Sequence, residues 1–549
     1  MLKSVNQRNA LFLIFLLALI LRVYTLSSLP QGFHADEARL GWNALSIIKT
    51  GKDDRGNFLP LYYNTFGDFR PTGIFYITAP FVLLLGNNEF AVRLPSALIG
   101  ALTIFPLYFF VDQISKKGRK PSHTTTLSPA LISALFLAIS PWHAAVSRSS
   151  SEVIISIFFS LFALVYFSKA QSSGNNRHYL LSFFLFFTSY LFYHSIRILA
   201  PLFIATFVIK YQFSKKSLLF LLSLILLTAI FTTQSQARGR FSQVSIFNDL
   251  DVKYELSRMP FEEGPNRVFI ARLFHNKPLT YSRKFISEYS KYFSADFLIS
   301  DQSKPARYRT VGFGLIYYLD IIFIISGLYV IIRDKHPHIF PWLLLISPIP
   351  AALTTEDSPN LHRSLYMIIF LCIIAGYGLF NILKWLRSKK YLSFTLVIIQ
   401  ILNIIFFVHM YQVHSIYKIA SSRNYGAKEL SLQLIKLQPQ YDKIIITNIP
   451  DDPYPWIAFF GNRSPEVFNH DAIQREHGVW QTENFVFQTQ RCPSRDAFEK
   501  PDVANLLVVD ARGCESESNL LKRSDVKILS QIKEPDESVV YTLWSYKKD

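Results

Sequence analysis

Apolar runs long enough to cross a hydrocarbon core, about 20 residues each, recur along this sequence. They lie near 9–28, 94–113, 127–146, 152–170, 178–194, 196–210, 216–234, 312–332, 338–354, 362–383 and 391–413. Lipid offers no partner for backbone N–H and C=O groups, so such runs must fold as helices that satisfy their own backbones. The expected fold class is therefore mainly α: a polytopic membrane protein with about 11 transmembrane helices. Lys3 and Arg8 precede the run Ala10–Leu21 as in a signal peptide, but no small-residue cleavage site follows before Pro30, so this run reads as an uncleaved first span. Residues after about 414 are polar, with a helical pattern over 425–437 and strand-like stretches at 443–447, 504–509 and 539–544. They read as a small C-terminal soluble α/β domain. The expected division is a membrane domain, 1–413, with long loops 30–92 and 235–311, followed by the soluble domain 414–549.

Charge orients these runs. The chain carries 57 Lys+Arg against 39 Asp+Glu, a net charge of +18, yet only 17% of its residues are charged. A soluble basic protein would suggest nucleic acid, but no basic face or stacking motif stands out and no nucleic-acid partner is expected. The basic residues instead gather in short segments between apolar runs: 116–120, 210–216, 333–335 and 384–390. If the 14-residue run 72–85 is a re-entrant or interfacial helix, all four fall on the side of the N-terminus; counted as a span, it would place all four opposite. The positive-inside bias then makes the N-terminus cytoplasmic. Both long loops and the C-terminal domain become extracytoplasmic, in a multi-pass protein of the inner (plasma) membrane. Cys492 and Cys514 lie in that outer part, as one disulfide or as two free thiols; Cys372 lies in an apolar run.

Ionisable residues collect at the outward corners. The first loop opens on His34-Ala35-Asp36-Glu37, where adjacent carboxylates are either a solvated loop start or a general base and metal-ligand candidate. Asp68-Phe69-Arg70-Pro71 places an arginine just before the run 72–85, suited to a phosphate through its planar fork, or to interfacial anchoring. Further corners hold His143, Arg148 and Glu152; Tyr190, Tyr193, His194 and Arg197; and Glu356, Asp357, His362 and Arg363. Any one of these residues could simply snorkel at a helix end. Together they fit a cavity for an anionic headgroup, with His34, His143, Glu152, Tyr190, His194 and Arg197 among its candidate lining residues. No phosphate-binding glycine loop, zinc-spaced Cys/His pairs or serine elbow is present, so an activated donor is expected to be membrane-borne.

Asp36-Glu37-Ala38, Arg70-Pro71 and the stretch from Asn88 to Ser96 resemble, in order and spacing, the polyprenyl-phosphate-sugar-dependent glycosyltransferases. These include the protein O-mannosyltransferases and the aminoarabinose transferases of lipid A. Segments at 239–245, 275–277, 292–298 and 357–363 are similar to the outward loops of bacterial and archaeal members. The resemblance implies the membrane glycosyltransferase type C fold and inverting transfer of a hexosyl or pentosyl group from a polyprenyl-phosphate sugar to a lipid, glycan or protein hydroxyl. It implies Asp36 as general base and Glu37 as the residue orienting or polarising it. Arg70 would bind the leaving phosphate, with Arg148, His362 and Arg363 sharing its charge. No cofactor is certain, and a divalent cation is a candidate that Asp36 and Glu152 could ligate only if the fold joins them. The alternatives are a transporter or flippase of an anionic lipid-linked substrate, and a non-catalytic membrane scaffold. Few ionisable residues fall inside the apolar runs, whereas transporters tend to place theirs near the bilayer midplane.

Overall fold

A computed structural model describes residues 7–65, 68–116, 127–211, 214–233, 244–264, 267–334, 339–466, 479–514 and 520–548. Lys117–Lys120 and Lys335 of the basic segments, and Gly239–Gln243 of the loop motif, lie outside the described residues. Two compact units emerge, one of residues 1–24, 62–72 and 96–411 and the other of 25–61, 73–95 and 412–549. The second unit thus joins the C-terminal region to residues 25–61 and 73–95.

Among the described residues five helices are long and apolar enough to cross a membrane: Glu89–Lys116, Glu152–Ser173, Lys215–Thr233, Tyr366–Ser388 and Lys390–Ile419. The pair Pro129–Ile139 and Pro141–Ser147, bent by 55°, would make a sixth. Several other expected spans appear as shorter helices: Gln7–Val23 has 17 residues, Asn176–Tyr190 15, and Ser195–Lys210 and Tyr318–Arg333 16 each. Helix length and composition among the described residues therefore do not confirm the eleven spans read from hydropathy. The run 72–85 forms the 13-residue helix Gly73–Leu85.

The core of the first unit is built around Tyr366–Trp385, buried continuously from Tyr366 to Gly378. It packs against Tyr318–Arg333 at very short range, since a Cβ on Gly378 would collide with the Phe323 carbonyl oxygen and one on Gly327 with that of Ile374. Small residues at helix crossings allow this approach, which replaces the hydrophobic drive that lipid removes. The Pro129–Ile139 helix breaks at Ser140-Pro141, and proline cannot continue the backbone ladder. Arg22 fills the gap: its guanidinium donates to the carbonyl oxygens of Leu137 (3.0 Å) and Ala138 (2.9 Å) and meets His143 Nδ1 at 2.9 Å.

In the second unit a six-stranded mixed sheet has the order β4-β5-β3-β6-β8-β7. Its strands are β3 (Lys443–Thr447), β4 (Trp480–Thr482), β5 (Phe485–Gln488), β6 (Asn505–Ala511), β7 (Val526–Lys533) and β8 (Val539–Lys547), numbered after the hairpin β1 (Tyr62–Thr65) and β2 (Asp68–Pro71) of the first unit. Central β3 runs parallel to both β5 and β6 and is covered on both faces, so Ile444, Ile445 and Ile446 read as one apolar run. Edge strand β7 alternates between buried and exposed positions and carries bulges against β8. The helix expected over 425–437 spans Ala427–Leu437, beginning after Gly426 at φ 85°. Cys492 and Cys514, 22 residues apart in sequence, form a disulfide. A loop of that length is worth about 2–4 kcal/mol through restriction of the unfolded chain. We expect Cys514→Ser to unfold this unit at lower temperature, and reductant to lower the wild-type transition while leaving that of the variant unmoved in a thermal melt.

Candidate active site

The helix Ala35–Thr50 begins at the acidic pair. His34 is its N-cap: His34 Nδ1 accepts the Asp36 N–H at 3.0 Å, and Glu37 Oε2 accepts the His34 N–H at 3.2 Å, a reciprocal capping arrangement. Asp36 therefore sits in the first turn, where the helix dipole favours a carboxylate. Its side chain is 27% exposed, with Oδ2 3.6 Å from His34 Nδ1.

Glu37 has a different environment. It is 3% exposed and grips two arginines that are 1% exposed. Arg93 donates from Nε to Oε1 and from Nη2 to Oε2, both at 3.0 Å, and Arg423 Nη2 donates to Oε2 at 2.6 Å. Burial pushes the Glu37 carboxyl up, but Arg93 and Arg423 outweigh it and hold the group below its ordinary range. With His34 N–H included, four hydrogen bonds occupy this carboxylate. Such a group keeps its charge and orientation but is poorly placed to accept a proton from another molecule. Arg93 also donates to the carbonyl oxygens of Leu26 (3.2 Å) and Gly32 (2.6 Å), fixing the turn that enters the helix.

The other sequence candidates lie in the first unit. Arg70 stands in hairpin β1-β2 opposite Tyr63. His194 Nε2 bonds the Phe69 carbonyl oxygen at 2.9 Å, and Tyr62 stacks on the His194 ring at 6.4 Å between centroids. Arg197 meets His194 Nδ1 at 3.0 Å, donates to the Tyr190 carbonyl oxygen at 3.0 Å and lies over the Tyr62 and Phe231 rings. Tyr190 hydroxyl reaches Thr228 Oγ1 at 2.9 Å. Tyr190, His194 and Arg197 thus join the hairpin to the ends of three helices.

His362 forms a second group. Its Nε2 meets Ser151 Oγ at 2.9 Å and its Nδ1 meets Tyr193 hydroxyl at 3.3 Å, while Tyr308 stacks on the ring at 4.7 Å. Arg148, 4% exposed, donates to the Leu21 carbonyl oxygen at 3.1 Å and lies over the Tyr411 ring. Glu152 opens the Glu152–Ser173 helix directly after Ser151. Arg363 is ion-paired with Glu356 and donates to Thr354 Oγ1 at 2.9 Å. His143 is fully buried against Arg22. Among the described residues no group of three or more His, Cys, Asp or Glu is assembled to hold a metal ion.

Sequence reasoning gave no role to Arg22, Arg93, Ser151, Tyr308 or Arg423. Arg22 had a signal, since a lone arginine inside an apolar run must find partners within the protein. Arg93 lies inside the motif 88–96, but nothing local marks it as the partner of Glu37, and Arg423 has no signal at all.

Residues 70–234 match the family described as dolichyl-phosphate-mannose-protein mannosyltransferase. The solved structure of ArnT from Cupriavidus metallidurans, bound to undecaprenyl phosphate, is similar over 97% of this chain and 97% of its own, with a TM-score of 0.52 and 10% identity. The chain has the membrane glycosyltransferase type C fold. Weaker likenesses are to the Archaeoglobus fulgidus oligosaccharyltransferase (TM-score 0.45, 13% identity, 83% of this chain) and the S. cerevisiae Pmt1-Pmt2 complex (0.30, 16%, 55% of this chain and 36% of that one). The chain spans 63% of the length of the archaeal protein. No curated protein matches the sequence. The family segment of this type C fold includes Arg70, Arg148, Glu152, Tyr190, His194 and Arg197 and begins after the acidic pair.

Proposed function

We propose that this membrane glycosyltransferase transfers a sugar, with inversion, from a polyprenyl-phosphate-linked donor to an acceptor hydroxyl on the extracytoplasmic side. The observation that carries the reading is the division of labour in the acidic pair. Glu37 is held charged by Arg93 and Arg423 and saturated with hydrogen bonds, whereas Asp36 stays partly exposed at a helix N-terminus. Asp36 accepts the proton of the acceptor hydroxyl as its oxygen attacks the anomeric carbon. The new glycosidic C–O bond forms on the face opposite the breaking one, and the lipid phosphate leaves with the bonding pair. Glu37 orients the turn that carries Asp36. Arg70, Arg148, His362 and Arg363 hold the departing phosphate, with Arg363 exchanging the half-exposed Glu356 for it.

The family match at 70–234 supports sugar transfer, and the undecaprenyl phosphate bound to the structurally similar ArnT supports a lipid-phosphate donor. The Cys492–Cys514 disulfide supports an extracytoplasmic C-terminal region, since disulfides persist in oxidising compartments. The test is release of polyprenyl phosphate and labelling of extracted envelope lipids, glycans or proteins by the purified protein, supplied with a panel of polyprenyl-phosphate sugars. Transfer from one donor establishes the reaction and names the sugar. No release from any donor, with Asp36→Asn behaving as wild type, would favour a lipid transporter or a scaffold.

A further inference from the structure

The acidic helix is held from a part of the chain almost 400 residues away. Arg423 and Asn424 occupy the turn between the Ser415–Ile419 and Ala427–Leu437 helices, within the same unit as the acidic pair. Asn424 adopts a left-handed backbone, φ 53°, a conformation asparagine tolerates better than most residues. Its Oδ1 accepts the Ala35 N–H at 3.0 Å, one of the N–H groups that a helix start leaves without an internal partner. Its amide donates to Asp451 Oδ2 at 2.6 Å, just beyond the carboxyl end of central strand β3. Arg423 bonds Glu37 through Nη2 while its carbonyl oxygen packs on Gly32, where an added Cβ would come within 2.5 Å. Gly32 lies at φ 81°, so both its conformation and its contact require glycine. Trp456 Nε1 donates to the Phe33 carbonyl oxygen at 2.8 Å, closing the same turn from the Tyr454–Phe460 helix.

We propose that Arg423 and Asn424 are positioning residues: the C-terminal region, through this turn, sets the direction of the first helical turn and therefore of Asp36. The inference rests on the transferase reading of Asp36 but makes its own claim about which residues aim it. Ala35 immediately precedes Asp36, so the Asn424 bond fixes the backbone next to the reacting carboxylate, and Asp451 fixes Asn424 in turn. A shift of about 1 Å in a reacting group can cost on the order of 100-fold in rate, so a clamp beside the carboxylate acts on turnover more than on donor affinity.

Asn424→Gly deletes the clamp while keeping a residue suited to the left-handed backbone, and Arg423→Lys keeps the charge while losing the planar fork. We expect Asn424→Gly to lower kcat about tenfold or more with donor KM changed less than about threefold, and Arg423→Lys to fall between it and wild type. In hydrogen–deuterium exchange of the full-length protein in detergent, peptides covering 33–42 should exchange faster in Asn424→Gly while those of β6 and β8 stay protected. Unchanged exchange at 33–42 would overturn the clamp. Faster exchange with unchanged kcat would overturn the positioning role. If the wild type transfers no sugar from any donor, the transferase reading falls by itself, and the exchange experiment still decides whether this turn orders the acidic helix.

Discussion

Asp36→Asn is expected to reduce sugar transfer by about 10³-fold, within the 10²–10⁴ range that a positioned general base contributes, while the protein folds and binds donor as before. The substitution keeps the shape of the side chain. The hydrogen bond from the residue 36 N–H to His34 Nδ1 is a backbone bond and survives. What disappears is the carboxylate that takes the acceptor proton. Initial rates with labelled polyprenyl-phosphate sugar, beside donor binding measured separately, check the expectation. A variant within about threefold of wild type would place the base elsewhere, because a positioned general base typically contributes on the order of 100-fold or more. Glu37→Gln should also be inactive for a different reason: it presents an amide to two buried guanidinium groups that need a charge, so its loss should come with lost stability.

Arg93→Ala is expected to destabilise the unit carrying the acidic pair by about 3–5 kcal/mol, the usual effect of removing one member of a buried ion pair. Arg93 and Glu37 are 1% and 3% exposed, and Arg93 also satisfies the Leu26 and Gly32 carbonyl oxygens, so three partners lose their donor together. Denaturant unfolding of the purified protein, followed by a probe in the C-terminal region, reads this loss. Arg93→Lys should recover part of it, since it restores the charge but not the fork. The same pair gives the stability a pH dependence. The Glu37 carboxyl is held below its ordinary value of 4.5 in the folded protein, so its contribution is fully present above that pH. It is lost as the pH falls through the folded value, where protonation removes the charge the arginines require. Stability measured from pH 7 downward should therefore decline below about 4.5 in wild type and decline less in Arg93→Ala. A wild-type profile flat through that window would show that the pair carries no linked proton.

The sequence by itself determined the class of the molecule. Apolar runs admit only helices in lipid, so a mainly α membrane protein followed by a polar α/β region was legible without coordinates, as was the strand character of 443–447, 504–509 and 539–544, where the strands run over 443–447, 505–511 and 539–547. The candidate residues could be collected from their chemistry and their places at the ends of apolar runs. Helix length was not legible in the same way: hydropathy marks where a run is apolar, whereas breaks such as Ser140-Pro141 depend on whether a distant group such as Arg22 can satisfy the freed carbonyl oxygens. Nor, from composition and spacing, was the difference in environment between the two adjacent carboxylates, whose roles only the family resemblance distinguished. Asp36 and Glu37 are neighbours with nearly the same intrinsic acidity, and nothing local separates them. Tertiary structure alone decided it, by bringing Arg93 from 56 residues away and Arg423 from 386 residues away onto one carboxylate and leaving the other partly exposed. Ion pairing falls off over a few ångströms, and separation along the chain says nothing about that distance until the chain has folded.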